Sequence, residues 1–290
     1  MKQVLCFGEV LFDGLPSGPV VGGAPLNVAL HLHQWGVPVK MASSIGADAP
    51  GEMLLQFLSS RNFPIDGLVI DEARPTGWVD VAVDAQGQPS YTICAPSAWD
   101  AIPFDPKLAA SSSVVVFGSL AMRHAKSRES VSRYFEEISY RIFDINLRPP
   151  FVEWTIIESF MQNVEVLKLN RNELCEYLMH KGLESVQSDN QDLYQFAKLF
   201  PKVQHILITD GEHGAYAFSD HTLWHHPIKP CDIVDTVGCG DAFLAGFLWG
   251  QAQNYHIEKA LRYATAAASA VAASNGATPK VSIEQLHASL

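Results

Sequence analysis

The sequence predicts an α/β fold built on a mostly parallel sheet. Three observations predict it. Short apolar β-type runs alternate with helical patterns along most of the chain. Those runs end in Gly, Asp or Asn, as strands leading into loops do. Only residues 68–95 break the rhythm, with strand-like alternation and no convincing helix between the runs.

Taken in order, VLCFGEVLF (4–12) reads as a buried strand and NVALHLHQWG (27–36) as a helix ending at Gly36. VKMASSIG (39–46) is the next strand and GEMLLQFLSSRN (51–62) the next helix. SVVVFGS (113–119), RIFDIN (141–146), VEVLKLN (164–170) and HILITDG (205–211) are further short strands. Ligands of parallel sheets sit at the carboxyl ends of the strands, where these polar residues fall. In the irregular region, GWVDVAV (77–83) and PSYTIC (89–94) read as a hairpin added to the main sheet, with a turn at 84–87. Together with residues of about 10–20 it is expected to form a small β-lid; a plain edge hairpin is the alternative. No internal repeat or low-complexity linker divides the chain, so residues 1–290 are expected to form one domain.

Hydrophobic residues make up 48% of the chain and charged residues 18%, a soluble globular balance. The formal net charge of −11 argues against a nucleic-acid surface, which needs clustered Lys and Arg. A small phosphorylated ligand needs only a few local donors and stays open. The five cysteines, Cys6, Cys94, Cys175, Cys231 and Cys239, form no CxxC pair, so no disulfide framework or zinc site is expected. MKQVLCFGEVLF is too weak for a signal peptide. The Ala-rich run 264–273 is too short to cross a bilayer. The expected location is the cytoplasm.

The chemistry concentrates in DTVGCGDAFLAGFL, residues 235–248. Consecutive small residues let backbone N–H groups turn inward as an anion nest, and a helix starting near Asp241 adds its positive dipole end. Gly238, Cys239 and Gly240 therefore offer donors to an anion beside the Asp241 carboxylate, an arrangement suited to phosphoryl transfer. A tight structural turn followed by a helix-start acid explains the same residues. No GxxxxGK[ST], HExxH or GxSxG occurs, and no GxGxxG follows the first strand. Near the N-terminus, Gly22 and Gly23 allow close approach to the backbone. Asn27 suits hydroxyl recognition or helix capping, and Asp13 suits two sugar hydroxyls or a turn. Pro149 and Pro150 stiffen the chain after Arg148, which faces a phosphate or simply solvent. Asn170 and Glu173 suit the water shell of Mg²⁺, or a helix-capping pattern.

DTVGCGD with GGAPLNVA, DINLRP, KLNRNE and TDGEHG resembles the ribokinase-like (phosphofructokinase-B) carbohydrate kinases, in order from about residue 3 to residue 280. The resemblance implies a Rossmann-like three-layer fold with helices on both sheet faces and a β-lid. It implies ATP-dependent phosphorylation of a sugar hydroxyl with Mg²⁺. On matching positions, Asp241 would be the catalytic base and Gly238, Cys239 and Gly240 the anion hole. Asp13, Gly22, Gly23 and Asn27 would bind sugar, and Asn170 and Glu173 would organise Mg²⁺ and phosphates. Thr209, Gly211 and Gly214 would lie along the nucleotide, with Ala268, Asn275 and Gly276 near the adenine. Many members bind a monovalent cation such as K⁺, here around the Asp235 loop and the segment near Gly276. The family usually has Ala where this chain has Cys239; the thiol would be open to alkylation if exposed and partly ionised.

GGAPLNVA and DINLRPPFVEW look most like bacterial fructokinases, with 2-keto-3-deoxygluconate kinases as the main competitor. A non-catalytic sugar- or nucleotide-binding regulator on the same fold is the alternative of another class, and the intact Asp241 argues against it. A dinucleotide oxidoreductase lacks its glycine fingerprint. Uncovered strand edges make a homodimer the expected assembly.

Overall fold

The computed structural model describes residues 2–83, 89–183, 190–229 and 231–290. Its main sheet has nine strands, in the order β13-β12-β11-β10-β9-β8-β1-β4-β5. These are β1 (Val4–Phe7), β4 (Val39–Gly46), β5 (Leu68–Asp71), β8 (Val114–Gly118), β9 (Tyr140–Asp144), β10 (Val166–Asn170), β11 (His205–Thr209), β12 (Ala215–Ser219) and β13 (Thr222–His226). From β5 across to β11 every neighbouring pair is parallel. The pairs β11–β12 and β12–β13 are antiparallel.

Both faces of this sheet are covered, and the β1 side chains show how. Val4 and Cys6 enter one hydrophobic core, with α1 (Ala24–Gln34), α2 (Ala49–Ser60), α8 (Cys239–Ala252), α9 (Ile257–Ala272) and α10 (Ile283–Ser289). Leu5 and Phe7 enter a second core. Its helices are α3 (Pro106–Ser111), α4 (Ala125–Glu137), α5 (Trp154–Met161), α6 (Arg171–His180) and α7 (Gln191–Leu199). A strand buried on both faces needs apolar residues at successive positions rather than alternate ones. That is why the strands were legible as continuous runs. Among the described residues no helix is long and apolar enough to cross a membrane.

The irregular region differs from the expectation in two ways. Leu68–Asp71 pairs parallel with β4 and forms the edge of the main sheet. The hairpin of β6 (Gly77–Val83) and β7 (Pro89–Ile93) does not join that sheet. It belongs to a separate four-stranded sheet, β3-β2-β6-β7, with β2 (Leu11–Leu15) and β3 (Gly18–Gly22). The expected turn at 84–87 lies outside the described residues. VLCFGEVLF is likewise two strands. The chain leaves the main sheet at Gly8, whose φ of 145° and whose 2.8 Å gap from an ideal Cβ to Pro25 admit only glycine. An unbroken apolar run hides such a break, because both sheets bury its residues.

Candidate active site

The carboxyl ends of β9 and β10, the start of α8 and the first turns of α1 meet around Asp241. The helix α8 begins at Cys239, two residues before the expected start, with Gly238 as its N-cap at φ 78°. Asp241 is thus the third helical residue, and the small residues belong to the helix start itself. The first N–H groups of a helix have no intrahelical acceptor. Among the described residues those of Gly238 and Gly240 have no protein acceptor, while Cys239 N–H closes on the Thr236 carbonyl at 3.3 Å. A Cβ on Gly238 would lie 2.6 Å from Ala277 Cβ, so the turn needs glycine for packing as well as for its left-handed backbone.

Asp241 is 8% exposed and accepts a 2.8 Å hydrogen bond from Asn27 Nδ2. Burial pushes its pKa up to about 6, with Asp144 adding to the rise; the Asn27 bond, Lys168 and Arg148 pull the other way. Asn27 lies inside α1, one turn past its Gly23 N-cap, so the helix-cap alternative is excluded. Gly22 and Gly23 answer to packing. A Cβ on Gly22 would sit 2.7 Å from Asp13 Oδ2, and one on Gly23 would sit 2.4 Å from the Glu9 carbonyl. Asp13 is pushed above the ordinary carboxylate range by burial and held back by Arg148. The exposed Arg148 guanidinium acts electrostatically on Glu9, Asp13, Asp144 and Asp241 alike, so it faces the site.

Asn170 and Glu173 form the capping box of α6. Asn170 Oδ1 accepts from Glu173 N at 2.9 Å, and Glu173 Oε2 accepts from Asn170 N at 2.8 Å. Glu173 Oε1 also accepts from Leu147 N, at 2.8 Å. Both carboxyl oxygens keep a further lone pair. The pair therefore fits a Mg²⁺ held through water rather than an all-protein cage. No cluster of three metal-ligating side chains occurs among the described residues.

Thr209 pairs in register with Asn170 at the same sheet edge. Gly211 and Gly214 bracket the following turn, and a Cβ on Gly214 would strike the His226 carbonyl at 2.2 Å. Asp235 bonds Val237 N at 3.0 Å and Gly276 N at 3.1 Å, stitching its loop to the segment after α9 that carries Asn275. A cleft of about 440 Å³ beside α9 is lined by His226, Lys229, Cys231, Ser269 and Ala273; Ala268, Asn275 and Gly276 do not line it, and Ala268 packs against the core.

Three functional candidates were missed. Lys168, inside β10, donates to both Asp144 oxygens at 3.1 and 2.9 Å, and its Nζ lies 2.9 Å from where a Gly240 Cβ would be. Glu9 is 4% exposed between β1 and β2. The signal for Glu9 and Lys168 was a lone charge within an apolar run, and Asp144 ends its strand as an acid. Such groups are seldom buried without a partner or a task.

Cys239 is half-buried, and burial, reinforced by Asp235 and Asp241, pushes its thiol up to about 11. The ionisation needed for alkylation is therefore missing at neutral pH. Iodoacetamide at pH 7.5 is expected to leave Cys239 essentially unmodified, read by peptide mass spectrometry. Rapid labelling that ATP blocks would contradict this.

A dry carboxylate beside free N–H donors, at the carboxyl edge of a parallel sheet, is the equipment of a small-molecule phosphotransferase. The model of the pfkB family carbohydrate kinases matches residues 19–284, and the chain belongs to that family. It is a sugar kinase. A fructokinase of Salmonella typhimurium is 27% identical, the match covering 87% of this chain and 85% of that one. The fructokinase of Xylella fastidiosa solved with bound ATP superposes with a TM-score of 0.87 at 23% identity, over 99% of this chain and 97% of the other. A Vibrio cholerae fructokinase, solved with fructose, ADP and calcium, gives 0.81 at 21% identity over 99% and 98%.

Proposed function

We propose that this protein is a fructokinase that transfers the γ-phosphoryl group of ATP to a hydroxyl of fructose. The observation that carries the reading is the 2.8 Å Asn27–Asp241 bond. It joins the N-terminal glycine motif to the C-terminal small-residue motif. In this reading Asp13, Gly22, Gly23 and Asn27 hold the sugar, and Arg148 faces the transferred phosphate. Asp241 accepts the proton of the attacking hydroxyl, and the free N–H groups of Gly238 and Gly240 hold the phosphoryl charge, while that of Cys239, bonded to the Thr236 carbonyl, would have to turn from it to join them. Thr209, Gly211 and Gly214 lie along the nucleotide, with Ala268, Asn275 and Gly276 near the adenine. Asn170 and Glu173 hold the water shell of Mg²⁺, which when bound supplies charge neutralisation on the phosphates. Both oxygens of Asp235 are engaged by backbone N–H, so K⁺ would be held mainly by carbonyl oxygens of the two loops it joins. The four-stranded sheet serves as the lid over the sugar. The bacterial fructokinase relative supports the sugar, and the ATP-bound structural neighbour supports the nucleotide.

A second reading has its own support. Arg148 acts on Asp13 at the sugar end, where the carboxylate of a sugar acid such as 2-keto-3-deoxygluconate would seek a cation. ADP release across ketoses, aldoses, sugar acids and nucleosides separates the two. Fructose is expected to give the highest kcat/KM, because each buried polar group left unpaired by a wrong sugar costs about 1–3 kcal/mol. Preference for the sugar acid would select the second reading. No ADP release with any sugar would leave a binding protein.

A further inference from the structure

Glu9 has no task in the mechanism above, yet it is buried beside it. Its Oε2 has no hydrogen-bond partner among the described residues, and neither has Asn27 Oδ1. Both atoms are shut off from water, where an unpaired polar group is costly. Asn27 donates to Asp241 at 2.8 Å, the Asp241 charge acts on Glu9, and the Glu9 backbone carbonyl lies against Gly23, the N-cap of the helix that carries Asn27. Ala24 N–H, in the first turn of α1, leans on the Glu9 carboxyl, one turn before Asn27 on the same helix. Two orphaned acceptors cannot satisfy each other. A carboxylic acid and an amide oxygen can.

We infer that Glu9 is a positioning residue for phosphoryl transfer: it holds a proton, donates it to Asn27 Oδ1, and completes a Glu9–Asn27–Asp241 chain that aims the base. The inference rests on the reading of Asp241 as that base. One proton removes both orphans, and the Asn27 amide, anchored through its oxygen, is held in the orientation that donates Nδ2–H to Asp241.

The surroundings of Glu9 favour the proton. Burial pushes its pKa up to about 7; Asp241 on α8 adds to the rise, and the backbone N–H groups of Glu9 and Ala24 and the guanidinium of Arg148 oppose it. Asp13 on β2 and Asp144 on β9 share the influence of the Arg148 guanidinium, and Asp144 and Lys168 on β10 act on Asp241. Glu9 therefore loses its proton, and Asn27 its anchor, as the pH rises through about 7.

The test is kcat/KM for the sugar against pH in the parent, Glu9→Gln, Glu9→Leu and Asp241→Asn. A glutamine amide donates without titrating. The parent is expected to lose activity roughly tenfold per pH unit above the Glu9 pKa until it levels off near the rate of Glu9→Leu, a limb that Glu9→Gln lacks. Glu9→Leu is expected to lower kcat by roughly 10–100-fold with little change in the KM for ATP, as displaced catalytic groups do. An alkaline limb that Glu9→Gln retains, or a parent without one, overturns the inference. So does a Glu9→Leu that turns over like the parent while Asp241→Asn is inactive. If Asp241→Asn itself keeps its turnover, the base assignment has failed instead.

Discussion

Replacing Asp241 by Asn is expected to lower kcat by roughly 10²–10⁴-fold, the usual range for a positioned general base. The dissociation constants for ATP and sugar are expected to change little. Asparagine keeps the shape of the side chain and an oxygen that can still accept from Asn27 Nδ2, so the link between α1 and α8 survives. What it loses is the acceptor for the hydroxyl proton. The N–H donors of the helix start remain, and they act on charge that develops only during transfer. The pH dependence follows from the same group. Burial pushes the Asp241 pKa up to about 6, and a base must be deprotonated to work. Activity is therefore expected to fall as the pH drops through about 6, a limb that the variant lacks. Single-turnover kinetics paired with calorimetric binding check both points. Turnover near the parental rate would make Asp241 a helix-start acid and nothing more.

Lys168→Met is expected to cost about 3–5 kcal/mol of stability, read as a lower urea midpoint, because it strips one partner from a buried ion pair. Lys168 and Asp144 side chains are each 6% exposed, and both Asp144 oxygens accept from Nζ. Burial raises the Asp144 pKa, and Lys168, with Arg148 behind it, opposes the rise. Burial pulls the Lys168 ammonium down, but Asp144, Glu173 and Asp241 more than offset it and raise its pKa. Methionine fills similar volume and leaves the acids facing one another. Removing both charges together, in Lys168→Met with Asp144→Leu, is expected to recover much of the loss, since the buried charge is then gone. A single variant as stable as the parent would show that the pair does not hold this edge of the sheet. The ammonium also lies under Gly240, so the single variant is expected to lose rate as well.

The main strands and the order of the motifs were legible from residues alone, because burial on both faces and turn chemistry are local properties. VKMASSIG is a strand over its whole length, Val39–Gly46. The small residues at 238–240 announced a helix start, though α8 opens two residues earlier than the acid suggested. Three-residue spacing made the Asn170–Glu173 capping box readable in the same way.

What only the tertiary structure decided were partnerships across long separations. Residues of about 10–20 were expected to share a lid with the 77–94 hairpin, but that they do so in a sheet of their own, through the parallel β2–β6 pair, no local pattern encodes. Asn27 and Asp241 are 214 residues apart, and their bond exists because α1 and α8 share one face of the sheet. Lys168 and Glu9 read as isolated charges in apolar runs until the strand order set them beside Asp144 and Asp241. Hydrophobic periodicity says which side of a strand is buried. Which charges meet there depends on strand order and register, and these are settled by the packing of the whole chain.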